Sequence, residues 1–198
     1  VQLGPTSIPQ DWDWCSGYHE SDSTVIGFSH THLSGTGIGD LFDVTVMPVV
    51  GKVDYARGRE DDPDSGLWSH ADRTKEISIP GYYSVPLLRY GITAEMTATS
   101  RVGLHRYTFP ASAEAAIVID LENGGCWDRP MDTHIEACGE NAVRGYRHSR
   151  GWANNQKVFF YAEFSKPFQN LEVIQKEKKI WEDEYKVMNI YARADFQT

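Results

Sequence analysis

The residues best suited to chemistry stand together between Asp11 and Asp40, in the run DWDWCSGYHESDSTVIGFSHTHLSGTGIGD. It holds Trp12, Trp14, Cys15 and Tyr18, the histidines His19, His30 and His32, Ser34, the carboxylates of Asp11, Asp13, Glu20, Asp22 and Asp40, and glycines at 35, 37 and 39. A ligand pocket needs this mixture of flat aromatic wall, a few polar groups and backbone able to approach closely. In an extended strand His30 and His32 leave the same face, an arrangement suited to hydrogen bonds with hydroxyls or to a metal ion. With no third ligand at metal spacing beside them, the hydrogen-bonding pair is the simpler reading. Trp12 and Trp14 also share a face if extended, for stacking on a sugar or for burial in a core. Asp40 and Asp43, with the acids before them, could do general acid and base work or hold calcium, and a solvated acidic rim is the plainer expectation. The glycines lack dinucleotide spacing, and no G-x-S-x-G elbow surrounds Ser29 or Ser34, so neither a phosphate cradle nor a serine nucleophile is expected.

Strands and turns must position these groups. Segments rich in Val, Ile, Thr, Tyr and Phe lie between 17 glycines and 9 prolines, a strand-and-turn texture. Strict alternation predicts strands over Ile92–Thr99 and Ala116–Leu121, the latter with Ile117, Ile119 and Leu121 on its apolar face, and over Val158–Phe164. Leu171–Ile174 and Lys186–Ala192 flank the charged run Gln175–Glu184, expected as the solvated part of a hairpin or a short helix. Gly58–Asp72 reads as a long surface loop with Trp68 turned back onto the body. No amphipathic stripe exceeds about three turns, so the expected fold is an all-β sandwich with long loops and little helix, residues 1–198 forming a single domain.

Charge narrows the partners. The net charge is −9, and residues 1–70 carry 11 acids against 3 bases, so they hold nearly all of it. Clustered Lys and Arg that could track phosphates are missing there, which argues against nucleic acid and leaves neutral, hydroxyl-rich ligands or cations. No apolar run approaches the roughly 18 residues of a membrane span. Of three cysteines, Cys126 and Cys138 could close a short bridge in an exported protein, while an odd count leaves one thiol over.

The block GFSHTHLSGTGIGD at Gly27–Asp40 resembles the signature of the N-terminal domain of the glycoside hydrolase family 92 α-mannosidases. CSGYH at Cys15–His19, MPVVG at Met47–Gly51, PGYYSVPL at Pro80–Leu87, ITAEMTATSRVGLHRYTFP at Ile92–Pro110 and FFYAEFSKPF at Phe159–Phe168 are similar to later blocks of that family in the same order. The resemblance implies a β-sandwich of the galactose-mutarotase-like supersandwich type leaning on a separate (α/α)6 catalytic barrel. The parent would be a secreted, periplasmic or cell-surface, calcium-dependent, inverting exo-α-mannosidase acting on mannose-containing glycans.

On that resemblance Trp12, Trp14, Cys15, Tyr18, His19, His30, His32, Ser34 and Asp40 are candidate contacts of the sugar cleft, with Cys15 and His19 on a linkage-dependent wall. No catalytic carboxylate and no calcium ligand is carried onto this chain; both belong to the barrel. An early strand ahead of Val1 and the barrel after Thr198 are expected to be absent, which would leave the isolated chain inactive, because inversion needs two carboxyl groups about 6.5–9.5 Å apart. The alternative is a free-standing mannose-binding module without catalysis, and a less favoured third is a metal-dependent site at His30 and His32.

Overall fold

The computed structural model describes residues 5–6, 22–31, 42–59, 61–124, 128–151 and 153–197. Fifteen strands account for the regular structure: β1 (Pro5–Thr6), β2 (Thr24–Val25), β3 (Gly27–Ser29), β4 (Thr45–Val50), β5 (Ser69–His70), β6 (Ile77–Ile79), β7 (Tyr82–Leu87), β8 (Ile92–Ala98), β9 (Gly103–Thr108), β10 (Ala115–Asp120), β11 (Arg129–Ala137), β12 (Ala142–Arg150), β13 (Gln156–Glu163), β14 (Asn170–Lys179) and β15 (Tyr185–Phe196). One 3-10 turn, Arg73–Lys75, is the only helical element among the described residues. The fold is all-β, as the alternation and turn spacing predict.

The strands form three layers. A six-stranded antiparallel sheet, ordered β1-β3-β4-β10-β15-β14, lies between the meander β6-β7-β8-β9 and the meander β11-β12-β13, and β2 pairs with β5. The first core joins Met47, Val49, Ala116, Val118 and Met188 of the central sheet to Tyr83, Val85, Leu87, Ile92, Ala94 and Met96 of the four-stranded sheet. The second joins Ile119, Leu121 and Ala192 to Ile135, Val143, Phe160 and Ala162 of the three-stranded sheet. β10 is therefore buried on both faces, where alternation had singled out one; Ala116 and Asp120 on either side of Val118 kept the other from reading as apolar.

Two devices join the layers. The β14–β15 ladder shifts register between Ile174 and Gln175, leaving Ile190 as the extra residue of a bulge, so that Met188, Ile190 and Tyr191 all reach the first core while Ala192 turns to the second. Asn189, buried beside the bulge, accepts a hydrogen bond from the Ile135 amide at 3.0 Å, and its carbonyl accepts the Thr133 hydroxyl. The charged run 175–184 belongs to the β14–β15 hairpin, with its turn at 180–184.

The loop before β5 folds as expected: Trp68 is buried, and the Arg89 guanidinium donates to the carbonyls of Asp64, Ser65, Gly66 and Trp68 at 3.0–3.1 Å. Gly58 sits at φ +89°, where a Cβ would fall 1.9 Å from the Trp68 ring, so only glycine lets the indole close down on the loop.

Candidate functional site

The pairing registers bring the ends of β3 and β10 and the start of β4 to one end of the central sheet, with Ser29 opposite Thr45 and Thr45 opposite Asp120. His30 follows β3 directly at this end. Its backbone is pinned on either side: the Thr31 amide donates to the Ser29 hydroxyl at 3.3 Å, and the Asp43 amide donates to the Thr31 hydroxyl at 3.2 Å. The latter bond ties together residues twelve positions apart in the chain.

The His30 ring reaches across to β9, where its Nε2 meets Nε2 of His105. The ring centroids are 4.6 Å apart and inclined at 53°. His105 Nδ1 in turn bonds the Tyr107 hydroxyl at 2.5 Å, and Phe28 packs edge-on to His105 with centroids 6.4 Å apart. Gly103 makes room for this, because a Cβ there would lie 2.2 Å from His30 Nε2.

A single proton can sit between two facing imidazole nitrogens, so one ring donates and the other accepts. Burial first, and the neighbouring His30 second, push the His105 pKa down to about 3, so the ring stays neutral at any ordinary pH. Burial pushes the Tyr107 phenol up, keeping its proton. The result is a Tyr–His–His hydrogen-bonded chain in which His105 and Tyr107 are neutral, and it is unsuited to supply the carboxyl pair that glycoside hydrolysis uses.

A second polar cluster adjoins it. Arg147 is fully buried and bridges Asp43 at 3.0 Å and Asp128 at 2.5 Å, while its Nε donates to the Leu121 carbonyl at 2.8 Å. Asp43 also accepts from the Ser149 hydroxyl at 3.1 Å and from the Gln156 carboxamide. Burial pushes the Asp43 carboxyl up more than Arg147 pulls it down. The sequence expectation of a solvated rim therefore fails at Asp43, which is sealed inside the fold as the counter-ion of Arg147. Among the described residues no group of three His, Cys, Asp or Glu side chains could hold a metal ion. The imidazole pair offers nitrogen where calcium takes oxygen, and Asp43 and Asp128 are committed to Arg147, so the described residues do not fit a calcium site.

Residues 1–198 match the glycosyl hydrolase family 92 N-terminal domain along their whole length. The chain belongs to this family. Its fold superposes on the family GH92 α-mannosidase of Bacteroides thetaiotaomicron with a TM-score of 0.88 at 34% identity, covering 100% of this chain and 28% of that one. The same enzyme solved with mannoimidazole gives the same score. A second family 92 glycosyl hydrolase, 22% identical, shares the fold with a TM-score of 0.70, covering 98% of this chain and 27% of that one. A secreted glycosidase of uncharacterised activity from Arthroderma benhamiae is 33% identical over 100 residues, which are 48% of this chain and 12% of that protein. This family 92 domain thus spans just over a quarter of the solved enzymes it matches.

Of the cleft contacts inferred from sequence, the structure places His30 at the sheet end and joins it to His105 and Tyr107. Trp12, Trp14, Cys15, Tyr18, His19, His32, Ser34 and Asp40 lie outside the described residues, as does Cys126; Cys138 is a half-buried free thiol. Sequence reasoning missed His105 and Tyr107, which stand 75 and 77 positions after His30. Their signal was the same i, i+2 spacing that drew attention to His30 and His32, placed in a segment, Gly103–Thr108, that the alternation did not single out as a strand.

Proposed function

We propose that this domain scaffolds and forms one wall of the sugar pocket in a secreted, inverting, calcium-dependent α-mannosidase that removes terminal α-linked mannose from glycans. The (α/α)6 barrel of the parent supplies the two catalytic carboxyl groups and the calcium ligands; the His30–His105–Tyr107 chain contributes neutral hydrogen-bonding groups to the wall. The observation that carries this reading is the superposition of the entire chain on 28% of an α-mannosidase at 34% identity. Inversion requires carboxyl groups facing each other across a water, and the buried carboxylates at this end are held by Arg147 instead.

The test compares the 198-residue chain with its full-length parent on an α-linked mannobiose in the presence of calcium. Mannose release by the parent alone, abolished by chelation, is the expected result. Chelator-sensitive turnover by the 198-residue chain would place the catalytic groups within it and end the proposal, as would a parent inactive on every α-mannoside.

A further inference from the structure

A cavity of about 260 Å³ opens between the ends of β11 and β12, residues 154–155 and the β14–β15 turn. Its lining includes His148, Arg150, Asn154, Asn155, Trp181 and Glu184. Trp181 is 47% exposed at the hairpin turn, and the guanidiniums of Arg150 and Arg129 stand 5.1 and 5.7 Å from its ring centroid. The His148 ring is stacked on Tyr146 with centroids 4.8 Å apart. That stacking fixes an imidazole whose Nε2 is buried without a hydrogen-bond partner. A buried polar atom of this kind carries a desolvation penalty.

The remaining walls have the same character. Two carboxamides, the Glu184 carboxylate and the Arg150 guanidinium, set around an indole, match a ring with an apolar face and a rim of hydroxyls. Lys186 is engaged with Asp132 at 3.7 Å, and Glu184 offsets part of the charge of the two arginines, so the cavity has little pull on an anion. It also continues onto a surface. Beyond His148, the outer face of β11–β13 carries a run of rings: His134 lies 5.7 Å from Tyr146, and Tyr146 lies 5.9 Å from Phe159. Phe159 is 71% and Tyr161 61% exposed. A row of exposed rings beside a polar cavity offers faces on which sugars can stack.

We propose that this cavity is a saccharide subsite, separate from the His30 cluster, that holds one uncharged pyranose of an oligosaccharide whose following residues run over the aromatic face of β11–β13. The choice of a saccharide rests on the reading of the parent as a glycosidase; the cavity and its orphaned imidazole do not.

Titration of the 198-residue chain with methyl α-mannoside and with α-linked mannotriose, followed by calorimetry and ligand-observed NMR, tests this. Saturable binding is expected, tighter for the trisaccharide, weakened about tenfold by Trp181→Ala and less by Asn155→Ala. Near-ultraviolet circular dichroism verifies that each variant is folded. A folded chain showing no saturable binding up to millimolar sugar overturns the proposal, and so does inorganic phosphate binding more tightly than either sugar. Binding lost in His30→Ala but kept in Trp181→Ala would also overturn it while leaving the proposed function intact. An inactive parent together with Trp181-dependent binding would do the reverse.

Discussion

The Asp43–Arg147–Asp128 cluster and the His30–His105–Tyr107 cluster lie at the same end of one sandwich and solve the same problem differently. Each joins elements distant in sequence, and each puts polar atoms among apolar ones. The first does so with full charges: Arg147 and Asp43 are fully buried, and Asp128 is nearly so, which is tolerable because the guanidinium meets two carboxylates and a carbonyl. The second contains no carboxylate or guanidinium, burial keeps His105 neutral, and its three residues are half-buried. A sealed ion cluster cannot turn toward a ligand without stranding a charge, a penalty that a neutral His105 does not carry. The first is a latch for the fold; the second, half-buried, lies at its edge.

Three experiments press on that contrast. The largest effect belongs to the latch: Arg147→Ala should lower unfolding free energy by about 3–5 kcal/mol, because two buried carboxylates lose their counter-ion. A loss below about 1 kcal/mol in chemical denaturation would mean the cluster is not the latch described. Next, Gly103→Ala drives a methyl into His30, and overpacking of this kind costs about 1–3 kcal/mol. Imidazole nitrogen NMR should show the His30–His105 bond broken, whereas an unchanged spectrum would mean the two rings do not depend on the close approach of β9.

The smallest effect is a slope. His105 has a folded pKa of about 3 against an ordinary 6.5, so between those values the unfolded chain takes up a proton that the native state refuses. Its contribution to stability is complete above about pH 6.5 and is lost as pH falls toward 3. His105→Phe should flatten that part of the stability profile, measured by thermal melts across the range, and an unaltered slope would show that His105 titrates normally.

The same contrast separates what was legible in the chain. Period-two patterns in Ile92–Ala98 and in Val158–Phe164 revealed both strands and their inward faces, because alternation across a pleat is local. Trp68 turning back from a polar loop was legible for the same reason, a large apolar side chain among residues that cannot bury it. Asp43 was misjudged: an aspartate near other acids looks solvated, and the arginine that encloses it stands 104 positions later. His105 and Tyr107 were overlooked because nothing in β9 by itself says that its edge lies against the end of β3. The bulge at Ile190 left no local mark either, yet it decides which residues of β15 enter which core.

The sequence by itself determined the all-β class, the main strands and, through ordered motif blocks, the family, since these follow from local periodicity and residue identity. Only the tertiary structure decided that the strands stack in three layers, that Asp43 is a buried counter-ion, that His30 is half of an imidazole pair, and that a polar cavity adjoins an aromatic face. Those outcomes depend on contacts between segments tens of residues apart, and the free energy of such contacts exists only once the sheets have closed on one another.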